Sequence, residues 1–296
     1  MIAMSPLLLG IDIGGTAIKG GIVEKSTIVW KTVELIEMKN PFETLVYVIG
    51  KLVEHADTRP EAIGIASAGR IDSEKGIVVY ATSNLKNWSG LDLAQKINSR
   101  FHIPTFIIND ARAAALAEAG SRNVSNMVLL TIGTGLGGGI VVDGKLIEGA
   151  HWQAGEIGHT ILYPDGRRCN CGKKGCAEMY ISMKVLHRYA KEKDRERLIE
   201  KFKQKDENTV IAVEKMCRDI AVLIDRIFLT IDPQVVAIGG GFCELGSNAL
   251  EILRKCVEPY SSKSLYNTSQ VDLSILGNDA GIIGAVIYAK DRISRS

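Results

Sequence analysis

Between Gly155 and Glu178 the chain concentrates residues that can bind a metal and hydrogen-bond a polar ligand. The run is Gly155-Glu156-Ile157-Gly158-His159, followed by Cys169-Asn170-Cys171-Gly172-Lys173-Lys174-Gly175-Cys176-Ala177-Glu178. One imidazole and three thiols, His159, Cys169, Cys171 and Cys176, fall within eighteen residues. That donor set suits Zn²⁺, which takes thiolate and imidazole in a closed tetrahedron. The C-x-C-x4-C spacing is tighter than the usual C-x2-C knuckle, so a disulfide, or free thiols packed as small hydrophobes, are the competing readings.

A second kind of chemistry is suggested by two glycine turns. Leu7 to Ile13 is an apolar run that enters Gly14-Gly15-Thr16, and Gly20-Gly21-Ile22-Val23 opens a second strand, with a third expected from Ser26 to Lys31. Met127 to Ile132 likewise enters Gly133-Thr134-Gly135, followed by Gly138-Gly139-Ile140-Val141, a turn at Asp143-Gly144, and Lys145-Leu146-Ile147. A shift of 118 residues superposes Gly15 on Gly133, Thr16 on Thr134, Gly20 on Gly138 and Ile22 on Ile140. Glycine lets backbone N–H groups approach a phosphate closely, and the threonine hydroxyl adds a donor. One such turn reads as a hairpin closure; two at matched positions read as a duplicated fold with a phosphate-gripping turn in each half.

Between the copies, short apolar runs alternate with helical patterns. Ala62 to Ala66 and Thr105 to Asn109 have the composition of buried strands, while Pro41 to Ala56 and Leu91 to Phe101 carry apolar residues at helical spacing. Tyr180 to Lys203 and Glu207 to Thr230 are expected as long helices, Val235 to Ile238 as a strand ending in Gly239-Gly240-Gly241, and Ala280 to Asp291 as a closing helix. Alternating elements imply a largely parallel α/β core. Asn109 and Asp110 lie where an apolar strand becomes an Ala-rich helix. Asp110 is either an N-cap for that helix or a carboxylate placed for chemistry, because ligands gather at strand carboxyl ends in open α/β sheets.

Global properties bound the class. At 296 residues the chain suits two domains of ordinary size. With 46% hydrophobic and 24% charged residues it has a globular composition. A formal net charge of +2 argues against nucleic acid or a membrane surface as the main partner. Six cysteines, three in one cluster, are not a secreted disulfide framework. No apolar run approaches a bilayer-spanning length and no leader is read at Met1 to Pro6, so the expectation is a cytoplasmic, reduced protein.

Together, Asp12-Ile13-Gly14-Gly15-Thr16, Asn109-Asp110, Thr134-Gly135-Leu136-Gly137-Gly138-Gly139, Gly155-Glu156-Ile157-Gly158-His159 and the Cys cluster ending in Glu178 resemble the ROK family (repressors, open reading frames, sugar kinases). The resemblance runs over nearly the whole chain with the motifs in order. It implies a duplicated actin-like, hexokinase-type ATPase fold: two α/β domains around an interdomain cleft, residues 1–115 plus 280–296 and residues 116–279. ATP with Mg²⁺ and a sugar are the implied ligands, and a homodimer is the expected assembly.

Carried over residue by residue, the resemblance makes Asp110 the general base toward a sugar 6-hydroxyl. Asp12 becomes the acidic residue near Mg²⁺. Gly14, Gly15, Thr16, Gly133, Thr134 and Gly135 become phosphate contacts, and Gly239, Gly240 and Gly241 the adenosine platform. The family often has Lys directly after the first-loop Thr; here Ala17 follows Thr16, and Lys19 is given no phosphate role. His159 is expected both to ligate zinc and to contact sugar, completed by Cys169, Cys171 and Cys176 in a structural site. Glu156, Glu178 and Asn109 join the sugar contacts.

Ala68-Gly69-Arg70-Ile71 and Thr82 look like the sugar pocket of N-acetylmannosamine kinases. Asn84-Leu85 followed by Trp88 is similar to glucokinases of the family, and Gly277-Asn278-Asp279-Ala280-Gly281 to β-glucoside kinases. N-acetylmannosamine is the expected substrate, with Gly69, Arg70, Thr82 and Asn84 as contacts; Arg70 could instead be a surface charge at a strand end. Some family members are sugar-sensing DNA-binding repressors. Here the first loop starts at Asp12 and no basic recognition helix is seen, so an enzyme is expected.

Overall fold

The computed structural model describes residues 6–25, 27–36, 40–81, 85, 87–261, 267 and 270–295. They form two compact units: 1–121 with 148–153 and 278–296, and 122–147 with 154–277.

In the first unit, β1 (Leu8–Ile13), β2 (Ala17–Glu24) and β3 (Thr27–Leu35) form an antiparallel meander. After α1 (Pro41–His55), β4 (Ala62–Ser67) joins β1 in parallel. A hairpin of β5 (Arg70–Asp72) and β6 (Ile77–Tyr80) follows, then α2 (Leu93–Phe101). β7 (Thr105–Asn109) joins β4 in parallel and runs directly into α3 (Asp110–Arg122). The sheet order is β3-β2-β1-β4-β7.

β1 and β4 are nearly unbroken apolar runs because both faces of the sheet are covered. Leu9, Ile11 and Ile13 pack with Leu45, Ile49, Leu52 and Ile97 on one face. On the other, Leu8 and Ala62 pack with Ile282, Val286 and Ala289 of the C-terminal helix, Ala280–Arg295. That helix approaches backbone to backbone: a Cβ on Gly64 would lie 2.0 Å from the Ala285 carbonyl oxygen, and one on Gly284 would lie 1.8 Å from that of Ala113.

The second unit repeats the plan. β8 (Met127–Ile132), β9 (Leu136–Val142) and β10 (Lys145–Leu146) are antiparallel. Four helices come next in the chain with one strand among them: α4 (Met183–Ala190), α5 (Arg195–Lys203), α6 (Glu207–Ile231), β11 (Val235–Gly239) and α7 (Ser247–Val257). β12 (Val271–Leu273) closes the sheet, whose order β10-β9-β8-β11-β12 mirrors that of the first unit. Both β8–β11 and β11–β12 are parallel.

Register refines the repeat. Ile11 pairs with Gly20, but Leu130 pairs with Gly138. The second strands of the two meanders therefore superpose at a shift of 118 and the first strands at 119, because the second turn is one residue shorter.

Two expectations need correction. Tyr180 to Lys203 is two helices: Lys191 closes α4 in the left-handed conformation at φ 53°, and Asp194 caps α5 by accepting from the Arg197 N–H. The boundary drawn at 115/116 would cut α3, a single helix in the first unit. The β5–β6 hairpin and β12 are too short to show a period, whereas α7 carries a legible apolar stripe, Ala249, Leu250, Leu253 and Val257, that the expectations above omit. No helix among the described residues is long and apolar enough to cross a membrane.

Candidate active site and metal centre

Three parallel strands bring their carboxyl ends to one edge of the first sheet. Ile13 lies beside Ser67, and Ser67 beside Asn109. The loop Gly14–Thr16, the pair Gly69-Arg70 and the pair Asn109-Asp110 are thereby neighbours, at the edge where α/β sheets bind ligands.

Asn109 holds this edge together. Its amide Nδ2 donates to the Gly69 carbonyl at 2.9 Å, while its Oδ1 accepts from the Arg112 N–H at 3.2 Å. The second contact is the side-chain-to-N3 bond of an N-cap. Asn109 makes the cap bond, and Asp110, the first residue of α3, accepts from the adjacent Ala111 N–H at 2.9 Å.

Asp12 and Lys19 are cross-strand partners in the β1–β2 register, with Lys19 Nζ 3.4 Å from Asp12 Oδ2. The Asp12 side chain is 17% exposed. Burial pushes its carboxyl above the usual aspartate range, and Lys19 opposes that shift. The first turn of the C-terminal helix presses against the same carboxylate: a Cβ on Gly281 would lie 2.6 Å from Asp12 Cγ. In the sequence Gly281 stands out only within the tail that resembles β-glucoside kinases; its approach to Asp12 joins residues at opposite ends of the chain and has no local signal.

Gly69 takes φ +111°, and a Cβ there would meet the Tyr80 carbonyl oxygen at 2.4 Å, so the turn into β5 needs glycine. Arg70 is half-buried and pairs with Tyr80 across the β5–β6 hairpin, and its Nε is buried without a hydrogen-bond partner among the described residues. Trp88 is buried, its indole N–H donating to Ser67 Oγ at 3.0 Å. Thr82 and Asn84 lie outside the described residues.

In the second unit, Gly133-Thr134-Gly135 closes β8 onto β9, and Thr134 is exposed. Gly239, the last residue of β11, pairs with Thr131, which brings Gly239–Gly241 beside this turn; a Cβ on Gly240 would lie 2.7 Å from the Ile132 carbonyl oxygen. The segment Gly155–His159 packs on β9, where a Cβ on Gly158 would lie 2.1 Å from the Leu136 carbonyl oxygen. Glu156 is exposed, and Glu178 points back to the turn, its Oε2 accepting from the Leu136 N–H at 3.1 Å.

The donor atoms of His159, Cys169, Cys171 and Cys176 all lie within 4.8 Å of one another. Cys171 Sγ is 3.5 Å from Cys176 Sγ, and Cys169 Sγ is 3.7 Å from His159 Nδ1. Sulfur at about 2.3 Å and nitrogen at about 2.0–2.1 Å from a tetrahedral centre would stand roughly 3.5–3.8 Å apart, so the donors fit zinc. The disulfide reading fails, since all six cysteines are free. Local turns hold the loop: the Cys169 N–H donates to the Lys173 carbonyl at 2.8 Å, and Gly175, at φ +77°, sits where a Cβ would strike the Tyr163 carbonyl oxygen.

The hairpin carrying these ligands is also pinned to α6. Tyr163 donates to Asp219 at 2.5 Å, a bond that holds its phenol up at about 12. The Arg167 guanidinium lies over the Tyr180 ring at 4.7 Å. No sequence signal marks the Tyr163–Asp219 pair, because 56 residues separate them. Cys217 is fully buried in the α6 core.

The family model for the ROK family matches residues 8–292. A glucokinase of Thermotoga maritima is 31% identical over 311 aligned positions, covering 97% of this chain and 98% of its own. An N-acetylmannosamine kinase of Haemophilus influenzae is 33% identical over 293, covering 96% and 95%. The crystal structure of a ROK family glucokinase from Streptomyces griseus, in complex with glucose and AMPPNP, superposes with a TM-score of 0.85 at 28% identity, covering 96% of this chain and 99% of that one. The mirrored sheets are those of the duplicated actin-like ATPase fold, and the chain belongs to the ROK family.

Proposed function

We propose that this chain is an ATP-dependent sugar kinase that phosphorylates the 6-hydroxyl of a hexose or N-acetylhexosamine, with N-acetylmannosamine as its substrate. One observation carries the reading: Asn109-Asp110, Gly69-Arg70 and the Gly14–Thr16 loop stand together at the carboxyl edge of the first sheet, where α/β folds bind their ligands. Phosphoryl transfer asks a protein mainly for positioning and charge stabilisation. Asp110 takes the hydroxyl proton as the sugar oxygen bonds to the γ-phosphorus, and the bond to ADP breaks.

Gly14, Gly15, Thr16, Gly133, Thr134 and Gly135 hold phosphates in this reading, and Gly239, Gly240 and Gly241 support the adenosine. Mg²⁺, when bound with the nucleotide, neutralises phosphate charge. Asp12 is suited to hold it through water, since a largely buried carboxylate gains from a nearby cation. Zinc in the Cys₃His shell is structural, as four protein ligands leave no open position. It steadies the loop from which Glu156, His159 and Glu178 meet sugar hydroxyls, with Asn109 and Gly69 completing the sugar contacts. His159 turns Nδ1 toward the thiols, leaving Nε2 for the sugar.

Arg70, whose buried Nε has no acceptor among the described residues, would donate to the N-acyl carbonyl. A glucokinase reading stands beside this one, because Arg70 also serves the β5–β6 hairpin as scaffold. Homodimer formation belongs to the same proposal. The test is ADP release in a coupled assay over N-acetylmannosamine, glucose, N-acetylglucosamine and cellobiose. N-acetylmannosamine should give the highest kcat/KM. A glucose or cellobiose preference overturns the substrate, and binding of sugar without ADP release makes the protein a sensor.

A further inference from the structure

Glu178 belongs to the zinc-bearing hairpin by sequence and to the second phosphate turn by contact. The three-residue helical turn Ala177–Met179 follows Cys176 directly, so the ligand cysteine fixes where the Glu178 side chain starts. That side chain ends on the Gly133–Gly135 turn: Oε2 accepts from the Leu136 N–H at 3.1 Å. The space it uses exists because residue 135 is glycine. A Cβ there would lie 2.3 Å from Glu178 Oε2 and 3.2 Å from its Cδ, with no other atom nearer than the Glu178 side chain. Further along the same segment, the Met183 N–H donates to the Gly133 carbonyl at 2.8 Å, so both ends of the turn are tied to one stretch of chain.

A carboxylate has acceptor capacity for several donors, so the bond to Leu136 leaves Glu178 able to accept from a ligand hydroxyl as well. A charge-assisted bond of this kind is about twice as strong as a neutral one, and it orients both partners. We infer that Glu178 is a positioning residue that couples the two substrates. By holding the Leu136 N–H, it sets the second phosphate turn when its other lone pairs are engaged by sugar, and it is itself set when the turn closes on phosphate. The inference rests on the kinase reading above. By linkage the effect is reciprocal: sugar tightens nucleotide by the factor with which nucleotide tightens sugar, typically about 5–150-fold for coupled sites.

The test uses titration calorimetry on the full chain, with N-acetylmannosamine and glucose as sugar probes and AMPPNP with Mg²⁺ as nucleotide probe. In Gly135→Ala the new methyl displaces only the end of a flexible side chain, so the variant should fold and retain its zinc. Its affinity for sugar, measured with no nucleotide present, should fall about 5-fold or more. Glu178→Asp shortens the side chain away from the Leu136 N–H. Its affinity for AMPPNP, measured with no sugar present, should fall, and in both variants the coupling factor should approach 1. If Gly135→Ala weakens AMPPNP while sugar binding is unmoved, or Glu178→Asp weakens sugar alone, the coupling is overturned and Gly135 and Glu178 serve separate ligands. A wild-type protein that releases no ADP with any sugar of the panel overturns the kinase reading and, with it, this inference.

Discussion

Asn109 bonds Gly69 with its amide nitrogen and caps α3 with its amide oxygen, so one side chain joins β7, α3 and the turn between β4 and β5. Neither carboxylate nor hydroxyl could make both bonds in the same geometry. Asn109→Asp keeps the cap acceptor but loses the donor and sets a charge against the Gly69 carbonyl. About 0.5–1.5 kcal/mol of stability should be lost, as for removal of one part-buried hydrogen bond. Denaturant unfolding measures this, and a rise in the sugar KM should accompany it. Unchanged stability and KM would show the Gly69 bond to be incidental.

Asp110→Asn should act on the chemistry and little else. The amide oxygen still accepts from the Ala111 N–H, so the melting temperature should move little. Turnover should fall roughly 10²–10⁴-fold, as for loss of a general base, while sugar binding by calorimetry persists. Turnover near wild type in a folded variant would remove Asp110 from the mechanism.

Metal analysis should find about one zinc per chain, as a single Cys₃His shell requires. Cys171→Ser should lose that zinc and weaken sugar more than nucleotide, since the ligand loop carries Glu156, His159 and Glu178. Full activity in protein shown to be zinc-free would refute a structural role for the metal.

Asp12 makes stability depend on pH in an unusual direction for a carboxylate. Its folded-state pKa is raised by burial above the ordinary aspartate value of 3.8, so between the two the folded state holds the proton more tightly than the unfolded one. Stability from this group is present below 3.8 and is lost as pH rises through the folded-state pKa. Asp12→Asn should therefore be more stable than wild type at neutral pH yet lose nucleotide turnover, the trade expected when a functional charge is held at a cost. A variant less stable than wild type at pH 7, at an unchanged acid limit, would contradict it.

Arg70→Ala tests specificity. A site that hydrogen-bonds a substrate amide leaves its own polar groups unpaired when the amide is missing. Removal of Arg70 should then lower kcat/KM for N-acetylmannosamine by about 10-fold more than for glucose. Equal losses for both sugars would make Arg70 scaffolding for the β5–β6 hairpin.

Short-range pattern made much of this protein readable before any coordinates. Four metal donors within eighteen residues, two Gly/Thr turns after apolar runs, and an acidic residue at a strand-to-helix junction are local facts, because spacing along the chain nearly determines spacing in space over a single turn or loop. His159, Cys169, Cys171 and Cys176 do bring their donor atoms together, and the two meanders stand where the repeat puts them. Local pattern also left real ambiguities. It could not say whether Asp110 caps α3 or is placed for chemistry, since an acidic residue suits both at a strand-to-helix junction, and it merged α4 with α5 because the charged residues 191–194 resemble a solvated helix face.

Other features depend on pairings between distant residues, for which no local signature exists. The one-residue difference between the two glycine turns emerges only from strand register. Gly281 meets Asp12 because the C-terminal helix crosses back over β1, and Glu178 meets Leu136 because the segment after Cys176 folds onto the start of β9. Residue types and spacing determined which groups this protein has for chemistry; the packing of sheets and helices decided which of them touch, because a contact across 42 or 269 residues is a property of the whole fold's register rather than of either segment.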